Sequence, residues 1–408
     1  MSDVLSEPLL GELVHRFQNE FGDARGLHVA WAPGRINLIG EHIDYNHLPV
    51  LPMAIQRGTY LVFKPRDDAH VRVTSSNSRF EPRSFDVAEE IQPYESGDWG
   101  NYVKAAAQTL AVRYSVATGF DGLVHSTLPI ASGLSSSSAL VVAAALAFLT
   151  GGSDDCRPFD LMEALAEGER YVGVRGGGMD QAVILGAREG AATHVSFAPL
   201  QIELVSIPGT WQFIVAHSLE DAPKSEGAMQ VYNERTEESH GAVRTMVEAF
   251  GLDATVGEYQ ALIDEVGPER LLREAQRRLD ATQHRRLRHV VTETDRVFAA
   301  VRMLSQEDLS GFGPLLCDSH RSLRDDYDVS TAELDELVET AVAAGAVGAR
   351  LTGAGLGGCV IALCDAANAP QVIEGLTANF YDRREFDTPI EDVLFTVAPS
   401  DGARVLSL

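Results

Sequence analysis

The segment GRINLIGEHIDY occupies residues 34–45 and follows an alternating apolar run at residues 27–32. Such a run predicts a strand, which we expect the Pro33-Gly34 pair to end. Six of the eleven side chains from Arg35 to Tyr45 are polar or ionisable. Because polar groups at this density can be buried only if each is paired, the segment is either a solvated loop or the wall of a polar binding site.

These side chains suit the recognition of a sugar beside a phosphate. The carboxylates of Glu41 and Asp44 can accept hydrogen bonds from vicinal hydroxyls, and His42 can donate or accept one. Arg35 can stabilise the negative charge that develops on a transferring phosphoryl group. The residue types alone fit a solvated loop with one internal ion pair equally well.

A second segment, LPIASGLSSSSA at residues 128–139, joins a predicted strand at 120–127 to an apolar helix predicted at 139–150. Backbone N–H groups converge at a helix N-terminus, where the helix dipole favours anions. Serine hydroxyls can add donors to a phosphate, or one of them can ligate Mg²⁺. The segment is not a Walker A loop, because no lysine follows the glycine. The alternative is a serine-rich helix cap, although four consecutive serines exceed what a cap needs.

Two further segments are rich in glycine. In GVRGGGMDQ at residues 173–181, three consecutive glycines let the backbone approach a ligand closely. Asp180 could then orient an attacking hydroxyl or accept its proton. The alternative is that Asp180 caps a helix after a glycine turn. The other segment, LTGAGLGGC at residues 351–359, is explained equally well by a tight turn between a helix and a strand.

The length and charge of the chain limit its organisation and partners. The 408 residues, 45% of them hydrophobic, predict two domains of mixed α/β structure. The apolar blocks are sparsest near residues 198–210, so we predict domains at residues 1–199 and 200–408. The formal net charge of −26 repels phosphate backbones and anionic lipid. Neither a nucleic acid nor a membrane is therefore expected as a partner.

Cysteine usage and hydropathy predict a cytoplasmic protein. The N-terminus, Met1 to Leu10, lacks the basic and apolar regions of a signal peptide. The longest apolar run, residues 139–149, is too short to span a bilayer. We expect a monomer or a weak homo-oligomer. No C-x-x-C pair occurs and the thiols are predicted to be reduced; the cysteines are Cys156, Cys317, Cys359 and Cys364.

In order and spacing, these segments resemble the galactokinase branch of the GHMP small-molecule kinases. The first signature of that branch, G-R-x-N-L-I-G-E-H-x-D-Y followed by V-L-P-x-A-I, is matched at residues 34–45 and 50–55. The serine segment matches the phosphate loop of the branch. GGMDQ at residues 177–181 matches its catalytic-aspartate motif, and residues 352–359 match its third motif.

The resemblance runs from about residue 10 to the end of the chain. WGNYVK at residues 99–104 is similar to the adenine-pocket segment of the family, and YNER at residues 232–235 to the segment with its sugar-contacting tyrosine. The resemblance implies ATP and Mg²⁺ as ligands. It also implies an α/β (α+β) fold of two domains, ribosomal-S5-like at the N-terminus and ferredoxin-like at the C-terminus, with the active site in the cleft between them.

The resemblance also implies a role for each matching residue. Asp180 would be the base or electrostatic positioner for the C1 hydroxyl of the sugar, and Arg35 would stabilise the transferring phosphoryl group. The remaining assignments are Glu41, His42, Asp44, Gly177 and Tyr232 for the sugar, Trp99, Tyr102, Gly133, Ser135, Ser136 and Ser137 for the nucleotide, and Ser136 and Glu169 for Mg²⁺.

The activity implied is transfer of phosphate from ATP to the C1 hydroxyl of α-D-galactose. The triple glycine before Met179 resembles the N-acetylgalactosamine kinases of the same branch, so that sugar is an alternative or additional substrate. Galacturonate would need a cationic partner, which Arg175 could supply. A catalytically silent sensor of sugar and ATP is an alternative of another class, but such proteins lose residues from the serine loop, which is complete here. Ala131 and Ala354 stand where the family usually has glycine, and we expect them only to narrow the conformations of their loops.

Overall fold

The computed structural model describes residues 7–150, 158–173, 176–220, 226–253 and 258–408. The strands are β1 (His28–Ile39), β2 (Leu51–Pro65), β3 (His70–Ser75), β4 (Arg83–Asp86), β5 (Phe120–Ser126), β6 (Ala191–Ser196), β7 (Gln201–Ser206), β8 (Trp211–His217), β9 (Gly348–Thr352), β10 (Cys359–Asp365), β11 (Leu394–Val397) and β12 (Arg404–Ser407). The helices are α1 (Glu7–Phe21), α2 (Gly100–Tyr114), α3 (Ser136–Thr150), α4 (Pro158–Gly168), α5 (Met179–Gly186), α6 (Glu226–Phe250), α7 (Glu258–Val266), α8 (Pro268–Arg278), α9 (Ala281–Ser305), α10 (Leu309–Ser322), α11 (Ala332–Ala343), α12 (Ala369–Asn379) and α13 (Ile390–Val393).

The larger sheet carries the N-terminal half of the site. Among the described residues, six strands form it in the order β12-β1-β2-β5-β3-β4. Neighbouring strands are antiparallel except for the parallel pair β3 and β5. Helix α3 is buried on several sides against β1, β2 and α2, as its nearly continuous apolar sequence predicts. No described helix, α3 included, is long and apolar enough to cross a membrane.

Strand β1 does not end at the Pro33-Gly34 pair, so that expectation is wrong. Its pairing with β2 shifts register between Pro33 and Arg35 and again between Asn37 and Ile39. Because proline has no N–H to donate, an irregularity at this point lets the strand continue. The first half of the segment at residues 34–45 is therefore buried strand and not loop.

The smaller sheet has the ferredoxin-like arrangement. Its described strands follow the chain pattern β-α-β-β-α-β as β8, β9, β10 and β11, with helices before β9 and after β10. Their spatial order is β11-β8-β10-β9, and each neighbouring pair is antiparallel. Helices α10, α11 and α12 pack on this sheet. This topology confirms the α+β expectation for the C-terminal half.

The two halves share one hydrophobic core. The same cluster of buried side chains includes Ile36 from β1, Val297 from α9 and Leu351 from β9. Strands β6 and β7 form a separate antiparallel hairpin. The predicted boundary between residues 199 and 200 lies in the turn of that hairpin and stays a prediction.

Candidate active site

A cavity of about 470 Å³ is lined by residues from both halves of the chain. The N-terminal half contributes the end of β1 with its following turn, the serine loop before α3 and the glycine turn before α5. The C-terminal half contributes α6 and the glycine loop after β9. The four motifs of the sequence therefore meet in one place. The predicted site residues in the lining are Arg35, Glu41, His42, Asp44, Tyr102, Gly133, Ser135, Ser136, Ser137, Glu169, Asp180 and Tyr232.

Arg35 and Asp180 form an ion pair in this cavity. Arg35 Nε donates to Asp180 Oδ1 at 2.8 Å, and Arg35 Nη1 donates to the carbonyl of Gly133 at 2.6 Å. Burial alone would lower the pKa of Arg35, but the surrounding carboxylates, Asp180 first, outweigh it and raise the pKa. The guanidinium thus stays charged between the first turn of α5 and the serine loop.

The serine loop has the backbone geometry of an anion-binding nest. Ala131, Gly133 and Ser135 have left-handed φ angles of 54°, 76° and 59°, while the residues between them do not. Successive residues of alternating hand turn their N–H groups toward a common concavity, which suits a phosphate. Helix α3 begins at the next residue, Ser136, and adds its N-terminal N–H groups.

A hydroxyl and carboxylate cluster lies beside this loop. Ser138 Oγ donates to Glu169 Oε1 at 2.5 Å and to Asp180 Oδ2 at 3.2 Å, and Ser135 Oγ donates to the same Asp180 oxygen at 2.5 Å. Burial and the neighbouring charge of Asp180 raise the pKa of Glu169 to about 7. Negative charge is therefore crowded here, and a cation would be favoured beside these two carboxylates.

Mg²⁺ prefers hard oxygen ligands, and the cluster supplies them as the Glu169 carboxylate and the hydroxyls at the start of α3. Within the described residues, no group of three or more His, Cys, Asp or Glu side chains could hold a metal ion. Besides Glu169, a magnesium ion here would therefore need serine hydroxyls and the oxygens of a bound phosphate as ligands. The residues present fit that requirement.

Asp44 lines the same cavity and is bonded to the glycine turn before α5. The Gly177 N–H donates to Asp44 Oδ2 at 3.0 Å. A Cβ at position 177 would lie 2.2 Å from the carbonyl carbon of Asp44, so only glycine fits. Burial and the nearby charge of Asp180 raise the pKa of Asp44 to about 6. Gly177 acts through its backbone and is not itself part of the cavity lining.

Glu41 is anchored to the C-terminal half. Its Oε2 atom accepts hydrogen bonds from Arg350 Nη2 at 2.6 Å and from the Gly353 N–H at 3.0 Å. Burial raises the pKa of Glu41, while the charges of Arg350 and Arg35 oppose that rise. The carboxylate is therefore partly committed to the protein before any sugar binds.

His42 is also anchored, and it lies among aromatic rings. Its Nε2 donates to the carbonyl of Ala354 at 3.1 Å, and its Nδ1 lies 3.2 Å from the hydroxyl of Tyr45. Burial lowers the pKa of His42 to about 3, so the imidazole is neutral. The rings of Tyr232 and Tyr327 lie 5.6 and 4.9 Å from it, centroid to centroid.

The remaining end of the cavity is aromatic. Tyr102 from α2 lines it, together with Tyr94 and Tyr171. Trp99, in contrast, lies outside the lining: its ring packs near Phe80 and its indole N–H donates to the carbonyl of Glu81 at 3.0 Å. Of the two predicted adenine residues, the structure brings only Tyr102 to the cavity.

Several residues of the site were missed from the sequence. Arg350 contacts Glu41, Tyr327 contacts Tyr45 at 2.7 Å between hydroxyls, and Ser138 bridges the two acidic side chains. Ser138 belongs to the serine run, which was a usable signal. No local pattern marks the others. Arg175 and Cys156, named from the sequence, lie outside the described residues.

Comparison with known proteins agrees with this architecture. The model of the GHMP kinase N-terminal domain matches residues 101–187, and that of the C-terminal domain matches residues 299–382. The two sheets, the serine loop and the shared cavity are therefore those of a GHMP kinase. The galactose-binding signature of galactokinases matches residues 15–65.

Curated relatives narrow the assignment. The galactokinase of Chloroflexus aggregans is 36% identical, over 91% of this chain and 92% of its own. That of Enterococcus faecalis is 34% identical, over 97% and 99%. The crystal structure of Lactococcus lactis galactokinase complexed with galactose superposes with a TM-score of 0.86 at 30% identity, covering 97% of this chain and 99% of that one. The chain belongs to the galactokinase family.

Proposed function

We propose that this protein phosphorylates α-D-galactose at C1, using ATP and releasing ADP. The observation that carries the proposal is the Arg35–Asp180 ion pair, held between the anion nest of the serine loop and Asp44. The nest would hold a phosphate donor beside the pair, and Asp44 would bind a polyhydroxyl acceptor in the same cavity. The relatives named above, all galactokinases, support galactose as the acceptor.

The reaction needs little covalent chemistry from the protein. The C1 hydroxyl oxygen of galactose forms a bond to the γ-phosphorus of ATP, and the bond from that phosphorus to the β,γ-bridging oxygen breaks. Asp180 either accepts the hydroxyl proton or orients the hydroxyl, and Arg35 stabilises charge on the transferring group. Catalysis then depends chiefly on position and electrostatics.

The other residues bind and orient the two substrates. The N–H groups from Gly133 to the start of α3 would hold the phosphates, and Tyr102 would lie beside the base. Asp44 would accept hydrogen bonds from sugar hydroxyls, with Tyr232 closing the sugar site. Glu169 and Ser136 would hold Mg²⁺, which when bound neutralises phosphate charge.

We further propose that the protein works in the cytoplasm, as a monomer or weak homo-oligomer, without nucleic-acid or membrane partners. The net charge of −26 supports the absence of anionic partners. The free thiols of Cys317, Cys359 and Cys364 are consistent with a reducing compartment.

The test is ADP release from Mg-ATP in the presence of galactose, N-acetylgalactosamine, galacturonate, glucose or arabinose. We expect galactose to give the highest kcat/KM. Faster turnover of N-acetylgalactosamine would make the protein an N-acetylgalactosamine kinase. Sugar binding without ADP release, for every sugar, would contradict catalysis and indicate a sensor.

A further inference from the structure

Arg350 is a buried charge beside Glu41 of the cavity lining. It lies in β9, and its side chain is 0% exposed to solvent. Its Nη2 donates to Glu41 Oε2 at 2.6 Å, and its Nη1 donates to the carbonyls of Asn37 and Leu38 at 3.3 and 3.1 Å. One guanidinium from the C-terminal half therefore holds both the backbone at the end of β1 and the carboxylate that follows it.

This arrangement is a poor way to stabilise a fold. The free energy needed to remove two charges from water often exceeds the free energy of their attraction, so a buried ion pair is weak evidence for stability. The Nε atom of Arg350 is buried and, in the described part of the chain, has no hydrogen-bond partner. An unpaired buried donor carries a further cost.

The hydrogen bonds to the Glu41 carboxylate converge on one of its two oxygens. Arg350 and the Gly353 N–H both donate to the same carboxylate oxygen, Oε2. Glu41 is nevertheless part of the cavity lining, although it is 3% exposed. A carboxylate that is held by hydrogen bonds at Oε2 can accept a hydrogen bond from a ligand in the cavity with its other oxygen, Oε1.

We propose that Arg350 is a positioning residue for sugar binding: it turns the Glu41 carboxylate so that Oε1 accepts a hydrogen bond from a sugar hydroxyl. The inference rests on the proposed function, because it assumes that the ligand at Glu41 is the sugar. Arg350 itself does not line the cavity, so it would act on the sugar only through Glu41.

The proposal has a signature in pH. Burial favours the protonated form of Glu41, and Arg350 is the largest opposing charge. A protonated Glu41 carries a donor where an acceptor is needed, so loss of Arg350 should make sugar affinity depend on pH. The other charged or titratable groups facing Glu41 are Arg35 on β1, His42 and Asp44 in the following turn, Tyr232 on α6, and His289 and Glu293 on α9.

The experiment measures galactose and ATP dissociation constants by calorimetry between about pH 6.5 and 8.5, across the range where a buried carboxyl can titrate. The variants are Arg350→Met, Arg350→Lys, Glu41→Gln and the Arg350→Met/Glu41→Gln double. Asp121→Asn is the matched control, since Asp121 also accepts from an arginine, Arg72 Nη2 at 2.6 Å, but lies outside this cavity.

Arg350→Met should weaken galactose binding roughly 10- to 100-fold at neutral pH, with affinity recovering as pH rises, relative to wild type. Arg350→Lys should show a smaller loss without added pH dependence. Glu41→Gln should weaken binding at all pH values alike. The double variant should match Glu41→Gln, because Arg350 acts through Glu41. The ATP dissociation constant should match that of wild type in every variant, and Asp121→Asn should bind galactose as wild type does.

Additive losses in the double variant, unchanged galactose affinity in Arg350→Met, or equal losses for ATP and galactose would each overturn the proposal. If Arg350→Met does not fold, Arg350→Lys decides the question, because it keeps a positive charge beside Glu41; unchanged galactose affinity in that variant would then overturn the proposal. Because binding is measured apart from turnover, wild-type protein that binds galactose without releasing ADP would refute the proposed reaction and leave this test intact.

Discussion

Asp180 receives hydrogen bonds from side chains on three separate elements. Arg35 Nε donates from β1, Ser135 Oγ from the serine loop and Ser138 Oγ from α3. These contacts fix the carboxylate in the cavity and pair it with the guanidinium of Arg35, which also contacts the serine loop. Its charge thus has a defined position before either substrate binds, which is what electrostatic catalysis requires.

Asp180→Asn should lower kcat by roughly 10²- to 10⁴-fold, because the amide neither accepts a proton nor balances Arg35. The galactose dissociation constant should change little, since Asp44 and Glu41 remain. Steady-state kinetics with calorimetry checks both statements. Asp121→Asn is the control: Asp121 also pairs with arginine, accepting from Arg72 Nη2 at 2.6 Å, but lies outside this cavity. Near-normal kcat in Asp180→Asn would contradict the assignment.

Asp44 shows a conflict between binding and stability. Its pKa is raised from 3.8 to about 6 by burial and by Asp180, so the folded protein keeps a proton that the unfolded chain has already released. Between these two pKa values, the free energy of unfolding falls as pH rises, and the loss is complete above about pH 6. At neutral pH the charged Asp44 therefore destabilises the sugar-free protein.

Asp44→Asn should raise stability at pH 7 by roughly 1–2 kcal/mol while weakening galactose binding. The amide oxygen can still accept from the Gly177 N–H. Thermal unfolding followed from pH 4 to pH 7 checks this, and the gain should shrink toward pH 4. A variant that is less stable than wild type at pH 7 would show that the charge of Asp44 does not destabilise the folded protein.

The glycine turn before α5 brings two elements into direct backbone contact. Gly177 packs on the backbone of Asp44 so closely that no side chain fits, whereas a Cβ at Gly176 would meet only Glu169 Oε2 at 3.9 Å. The two neighbouring glycines thus have different reasons to be there. Gly177 allows the close contact with the turn at Asp44, and Gly176 leaves open space in the cavity wall.

Gly177→Ala should reduce kcat/KM for galactose by more than about 100-fold, since a 1 Å displacement at the reacting centre is enough for such a loss. Gly176→Ala, the matched change one position earlier, should have a much smaller effect. The comparison needs only steady-state kinetics with galactose varied at saturating ATP. Equal losses in the two variants would mean that the close approach of Gly177 to Asp44 is not what the turn provides.

Part of each element could be predicted from its sequence and part could not. Helix α3 and the serine loop follow from local signals, because an apolar run and its N-terminal turn are adjacent in the chain. The left-handed φ of Ala131 was not foreseen, since the residue normally favours other conformations. The continuation of β1 past Pro33 was mispredicted, because it depends on register shifts against β2.

At the scale of the whole molecule, the C-terminal half holds the proposed sugar-binding segment of the N-terminal half, residues 40–45. Glu293 accepts from the Gly40 N–H, and His289 Nε2 donates to the carbonyl of Glu41 at 3.0 Å. Together with Arg350, these side chains come from α9 and β9. None of these contacts could be found from the sequence. Arg350 and Glu41 are 309 positions apart, and an arginine is expected at the surface and not fully buried in a strand.

His289 makes this contact sensitive to acid. Burial lowers its pKa to about 4 from 6.5, so it binds a proton less readily in the folded than in the unfolded chain. Stability from this group is present above the unfolded pKa and is lost as pH falls through that interval. Protonation also charges a ring that is packed 4.5 Å from Tyr327, centroid to centroid.

His289→Gln should therefore lose less stability than wild type between pH 7 and pH 4.5, by roughly 2 kcal/mol. Glutamine does not titrate, and its amide N–H can still donate to the Glu41 carbonyl. Thermal unfolding at a series of pH values gives the difference. His15→Gln, at an exposed position on α1, serves as the control for the substitution itself. Parallel curves for His289→Gln and wild type would contradict the account.

The central claim is that the cavity transfers phosphate from ATP to the C1 hydroxyl of galactose. Phosphorus NMR of the product formed from Mg-ATP and galactose tests it most directly, with 1-deoxygalactose as the matched sugar that lacks the attacking hydroxyl. The account predicts one anomeric phosphate, coupled to the proton on C1, from galactose and no sugar phosphate from 1-deoxygalactose. A phosphate at any other carbon, or turnover of 1-deoxygalactose, would contradict it.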